Sequence, residues 1–302
     1  MALDTPARDT PARDTPARDA AGRTISGLDA LDLADRTGPR SRAAAAWAAF
    51  WPKLLAVAIF VAVWQAVVWS GWRDTYILAP PGDVARELGT LISSGDFWRG
   101  LVTTLRRAAV GFAMACVIGL LTGVVVARVR VLRAAFGSMI TALQTMPSIA
   151  WFPLAILLLQ LSEGAIQFVV VLGAAPSIAN GVIAGVDYVP PLLLRVGRNM
   201  GATGIALYRH VIAPASLPAI VAGLKQGWAF AWRSLMAGEL LVIIPGHPSI
   251  GAQLQFAREF NQAAGLVAIM VVIFTLGVLV DVAFTAADRA VRRRWGMTDQ
   301  QT

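Results

Sequence analysis

Cysteine occurs once, at Cys116, and histidine twice, so an internal disulfide is excluded and little is left for a zinc site. Charge is scarce: 15% of the 302 residues are Asp, Glu, Lys or Arg, against about 25% in a soluble domain. No Gly-x-x-x-x-Gly-Lys-Ser/Thr run occurs, so the phosphate loop of a nucleotide hydrolase is missing. The apolar segments hold neither a metal-ligand cluster nor a nucleophile–base pair. These shortages speak against a disulfide scaffold, a zinc module, a soluble metalloenzyme and a membrane-embedded enzyme. Apolar side chains are abundant instead, at 57% of the residues, with a mean hydropathy of +0.63. That is the composition of a multispan membrane protein.

The first 45 residues depart from this composition. Asp4-Thr5-Pro6-Ala7-Arg8 recurs at residues 9–13 and 14–18, and a degenerate copy follows. A proline in every five-residue unit removes a donor and clashes with the preceding turn, so no stable helix is expected. Residues 1–45 read as a disordered cytoplasmic tail, 46–295 as an all-α membrane domain, and 296–302 as a short C-terminal tail. No apolar core with a small-residue cleavage site lies near Met1, so a signal peptide is not expected.

Six apolar segments meet the roughly 20 residues that a helix needs to cross about 30 Å of hydrocarbon. They are Leu54–Gly71, Leu101–Ala127, Ala134–Leu161, Ala165–Val186, Leu217–Ile244 and Ala263–Ala286. If the termini are cytoplasmic, fourteen Lys and Arg residues flank the spans inside and four to six outside. Arg106 and Arg107 are the ambiguous pair. The bias in basic residues predicts that both termini are cytoplasmic. It also accounts for the net charge of +8 as topology, so no nucleic-acid partner is expected. Val84–Ser93 has helical apolar spacing after the Pro80-Pro81 turn, as expected for a short interfacial helix.

The loop between the fourth and fifth spans is the most informative. Pro191 can open a helix, Leu192–Met200 is amphipathic, and Gly201 is a natural stop. A second short helix is expected over Ile205–Val211, bounded by Pro214. Here the chain resembles the permease subunits of bacterial ATP-binding-cassette (ABC) importers. Their cytoplasmic signature is Glu-Ala-Ala, three residues, Gly, nine residues, Ile, one residue, Leu-Pro. Gly201, Val211, Ala213 and Pro214 fall on its later positions, while Arg195-Val196-Gly197 stands in place of Glu-Ala-Ala. Gly201-Ala202-Thr203 and Pro214-Ala215-Ser216-Leu217-Pro218 are similar to the sulfonate, nitrate and taurine branch. So are Leu78-Ala79-Pro80-Pro81-Gly82, Thr145-Met146-Pro147-Ser148-Ile149-Ala150-Trp151-Phe152-Pro153, Pro176 with Asn180, and Ala231-Trp232-Arg233 with Glu239.

The resemblance implies six transmembrane helices with a cytoplasmic coupling loop, in the inner membrane. It implies a homodimer, two copies of an ATP-binding subunit that carry ATP and Mg, and an extracytoplasmic solute-binding protein. The chain itself would bind no cofactor and catalyse no reaction. The coupling-loop residues would be Arg195, Arg198, Asn199, Gly201, Ala202, Tyr208 and Pro214. The translocation path would run past Pro147, Ser148, Trp151, Asn180, Arg233 and Glu239. Prolines inside spans free carbonyls that only protein or water can satisfy, so Pro147, Pro153 and Pro176 are expected to interrupt helices. Charges within spans face an interior or cavity, which makes Arg233 the candidate contact for an anion such as a sulfonate, taurine or nitrate. A gradient-driven secondary transporter is the alternative, although no half-to-half repeat supports it.

Overall fold

The structure, a computed structural model, describes residues 42–294. The tails expected at residues 1–45 and 296–302 thus lie almost wholly outside the described residues. Helix α1 (Arg42–Trp69) is the first apolar span. The chain divides after Val63 into two units, and all packing described below lies in the second.

After the end of α1, that unit continues with α2 (Pro81–Ser93), the short helix expected after the Pro80-Pro81 turn. Ser94 ends α2 and caps α3 (Gly95–Arg128), accepting a hydrogen bond from the Phe97 N–H at 3.2 Å. Next come α4 (Arg130–Thr145), a 3₁₀ turn (Ser148–Trp151) and α5 (Phe152–Leu159). α6 spans Glu163–Asp187 and α7 spans Pro191–Asn199. α8 runs over Gly204–Leu241, α9 over Ile250–Glu259 and α10 over Ala263–Arg294. Among the described residues five helices, namely α1, α3, α6, α8 and α10, are long and apolar enough to cross a membrane.

The third expected span is not one straight helix. Its two halves, Val131–Thr145 and Ser148–Leu159, meet at 102°. The cause is local: Pro147 precedes the 3₁₀ turn and Pro153 opens α5, so neither could donate into a continuous ladder. Pro176, by contrast, does not interrupt its helix. It lies buried within a continuous α6.

Glycines set how closely α3, α6 and α8 approach. A Cβ on Gly119 would lie 2.7 Å from the Ala175 carbonyl oxygen, and one on Gly123 would lie 2.7 Å from Val182 Cβ. On the other face of α6, a Cβ on Gly181 would come within 2.6 Å of Gly223 Cα. These are the small-residue pairs that the four-residue spacing marks as packing positions. Their order fixes direction. Gly111, Gly119 and Gly123 meet Val170, Ile178 and Val182 in turn, so α3 and α6 are parallel. Gly173 meets Ser234 while Gly185 meets Ser216, so α6 and α8 are antiparallel. The core between them holds Phe152, Ile166, Ile178, Trp232 and Leu235.

Candidate functional site

The loop after α6 leads through Pro190 into α7, an amphipathic helix of about two and a half turns that Pro191 opens. Its inner side is set by Gly197, which is buried: a Cβ there would meet Val211 Cγ2 at 2.8 Å and Leu207 Cδ1 at 3.1 Å. Val189, Leu207 and Ile212 make the small core on which α7 sits. Gly201 then turns the chain with φ +83°, a conformation that side chains with a Cβ resist.

One flank of α7 is apolar and uncovered. Leu192, Val196 and Met200 recur at four-residue intervals and are all exposed, Met200 to 82%; Ile205 beyond them is 81% exposed. Arg195, Arg198 and Asn199 are exposed beside this stripe, and Ala202 is half-buried against the small core. An exposed apolar stripe of this kind marks a contact surface for another protein or for the membrane.

The second short helix expected at Ile205–Val211 is not separate. Gly204–Leu207 is α-helical, Tyr208–Ile212 is a π turn, and Ala213–Leu241 continues as α-helix. Pro214 therefore bounds nothing. The widened turn keeps its ring clear of the carbonyl four residues back while the helix carries on. Tyr208 also receives the Arg128 guanidinium 4.2 Å from its ring centroid, which ties the end of α3 to this junction.

The expected path residues fall in four places. Pro147, Ser148 and Trp151 form the break in the third span, where Ser148 faces Gly173 near the fully buried Ser234. Asn180 donates to Gln144 Oε1 at 2.8 Å, and Gln144 donates to Ser177 Oγ at 2.8 Å, which links α4 to α6 by neutral polar groups. Arg233 lines a groove between α8 and α10 with Trp232, Met270, Phe274 and Asp281, about 680 Å³ in volume. Its guanidinium bonds the Ala229 carbonyl at 3.0 Å and lies over the Phe230 ring. Asp281 pairs with Lys225 at 3.2 Å.

Glu239 stands apart from Arg233. Fully buried, it accepts from Arg107 at 3.0 Å, Thr104 at 2.9 and 3.1 Å, and the Gly251 N–H at 3.0 Å. Arg107, only 2% exposed, also binds Glu163 at 2.6 and 2.9 Å. Sequence reading left Arg107 as an ambiguous flank and did not single out Thr104, Gln144 or Ser177. A second arginine just inside an apolar run was the available signal for Arg107. Nothing local marked its partners, which lie 56 and 132 residues away.

Residues 115–293 match the family described as binding-protein-dependent transport system inner membrane component. A permease protein of Escherichia coli (strain K12) named for aliphatic sulfonates transport is 33% identical over 79% of this chain and 89% of its own. The nitrate import permease protein of Synechocystis sp. is 26% identical over 75% of this chain and 84% of its own. The taurine transport system permease protein of Escherichia coli (strain K12) is 25% identical over 77% and 86%. Among solved structures, an inward-facing MetNI methionine ABC transporter shares the fold with a TM-score of 0.54 at 24% identity, over 64% of this chain and 94% of that one. These matches favour an ATP-driven importer over the gradient-driven alternative.

Proposed function

The chain belongs to the inner membrane components of binding-protein-dependent transport systems, and on that premise we propose how it works as the permease of an ABC importer. The loop from Pro190 to Pro214 seats in a groove on an ATP-binding partner, which supplies ATP and Mg. Two copies of the chain form the membrane unit, each with its own partner, and a solute-binding protein delivers the cargo on the outer face. Both termini are cytoplasmic. The cargo is a small anion: an aliphatic sulfonate, taurine or nitrate, the substrates for which the relatives are named. Arg233 offers it a cation, while Ser148 and Trp151 lie where the third span breaks and Asn180 bonds Gln144 at the end of α4.

One observation carries this reading. The stripe Leu192, Val196, Met200 and Ile205 is exposed along α7 and just beyond it, and α7 packs, through Gly197, on the very start of α8. A push on α7 therefore reaches a transmembrane helix without an intervening hinge loop. Co-purification with the ATP-binding subunit tests it. Val196→Asp places a charge in the stripe and leaves the Gly197 side untouched. Since each tenfold in affinity is about 1.4 kcal/mol, one unpaired interfacial charge is expected to weaken retention of the partner about tenfold or more. Equal retention by the variant would place the contact elsewhere.

A further inference from the structure

Glu239 is satisfied on every side, which suits it poorly to meeting a passing solute. What it holds is the start of α9. Ser249 caps this helix, accepting from the Ala252 N–H at 3.2 Å. The next two amides point at the cluster: the Ile250 N–H donates to Thr104 Oγ1 at 3.0 Å, and the Gly251 N–H donates to Glu239 Oε2 at 3.0 Å. Gly251 is held so close that a Cβ there would overlap the Glu239 Cβ. The first amides of a helix have no partner within it, and its N-terminus attracts negative charge. One buried carboxylate thus docks α9, while Arg107 neutralises it and extends the tie through Glu163 to α6.

Glu239 also lies near the far end of α8, whose other end is the π turn of the cytoplasmic loop. It stands 27 residues beyond Ile212, about 40 Å along an unbroken helix at 1.5 Å per residue. We infer that Glu239 is a positioning residue: it fastens α9, on the outer face, to the same rigid helix that begins in the coupling loop. A displacement of the loop by the ATP-binding partner then moves α9. By thermodynamic linkage, whatever engages the outer face in one state favours that state at the loop. Thr104 is the second half of the fastening, because its hydroxyl touches both Glu239 and α9. This inference rests on the importer reading above.

The test uses the full chain assembled with its ATP-binding subunit in bilayer nanodiscs. Cys116→Ser removes the native thiol, and Arg258→Cys, at an exposed position on α9, carries a fluorophore. Adding ATP with vanadate should shift the label's emission. In Glu239→Gln and in the milder Thr104→Val, the shift should fall at least fivefold, with partner retention and basal ATP hydrolysis within twofold of the parent. A merely structural role would lower assembly and hydrolysis together. An unchanged shift in both variants, or no shift in the parent, overturns the tie while leaving the importer reading intact. A parent chain that retains no ATP-binding partner overturns both. If Glu239→Gln does not assemble, Thr104→Val decides alone.

Discussion

Where α6 crosses α8, a single hydrogen atom sets the distance between two membrane helices. A Cβ on Gly223 would lie 2.7 Å from Gly181 Cα, and backbone cannot rotate away as a side-chain tip can. Gly223→Ala is therefore expected to destabilise the protein by about 1–3 kcal/mol, the usual cost of overpacking. Gly137→Ala is the matched control, since a Cβ there meets nothing within 4 Å. Its effect should be neutral or slightly stabilising, by up to about 1 kcal/mol, because alanine favours a helix interior over glycine. Thermal unfolding in detergent separates the two. The contrast was legible only in part beforehand. Four-residue spacing marks Gly181/Gly185 and Gly223/Gly227 as a pair of matching stripes, but spacing cannot say which stripe meets which. The Arg107 cluster was less legible still, because an ion pair is a statement about two distant positions and sequence shows one of them at a time.

At the scale of elements, length and hydropathy suffice for long helices and fail at their interruptions. Leu101–Ala127 and Ala165–Val186 lie within α3 and α6, since a sustained apolar run has one stable form in a bilayer. The bend between α4 and α5 escapes the same logic, because both halves are apolar and only Pro147 and Pro153 mark it, while Pro176 sits within a continuous helix. α9 was missed because it is short and half polar, with Ile250, Leu254 and Ala257 facing the core beside Phe97. The bend is also the element whose role is most open to test. Replacing Pro147 and Pro153 together by alanine restores two donors and removes two ring clashes. The 102° angle should then relax towards a straight span, withdrawing Ser148 and Trp151 from their place at the break. Uptake of the proposed anion cargo, assayed with taurine, is expected to fall, with retention of the proposed ATP-binding partner unchanged. Unchanged uptake would show that the break serves packing alone.

For the whole molecule, the helix packing fixes how the spans run relative to one another, and the count of basic residues predicts which side each loop faces. α3 and α6 run parallel, because Gly111, Gly119 and Gly123 meet Val170, Ile178 and Val182 in the same order. Ion pairs at both ends agree with this. Arg107, in the first half of α3, reaches Glu163 at the start of α6, while Arg133, just past the end of α3, pairs with Asp187 at the end of α6. Two successive parallel spans require the segment between them to return across the membrane, so α4 and α5 together must count as one crossing despite their bend. α8 then runs opposite to α6, and α10 opposite to α8, as Lys225–Asp281 and Trp232–Gly277 order them. The basic residues predict the sign: the loop at Arg73 is expected outside and the α7 loop at Arg198 inside. Single-cysteine variants Arg73→Cys and Arg198→Cys, each with Cys116→Ser, convert this into a measurement. A membrane-impermeant maleimide added to intact cells should label position 73 at once and position 198 only after permeabilisation. Labelling of both from outside would mean that the bent pair turns back without crossing, which the parallel packing of α3 and α6 forbids. Labelling of position 198 alone would invert the molecule and place the exposed stripe of α7 beyond the reach of any ATP-binding partner.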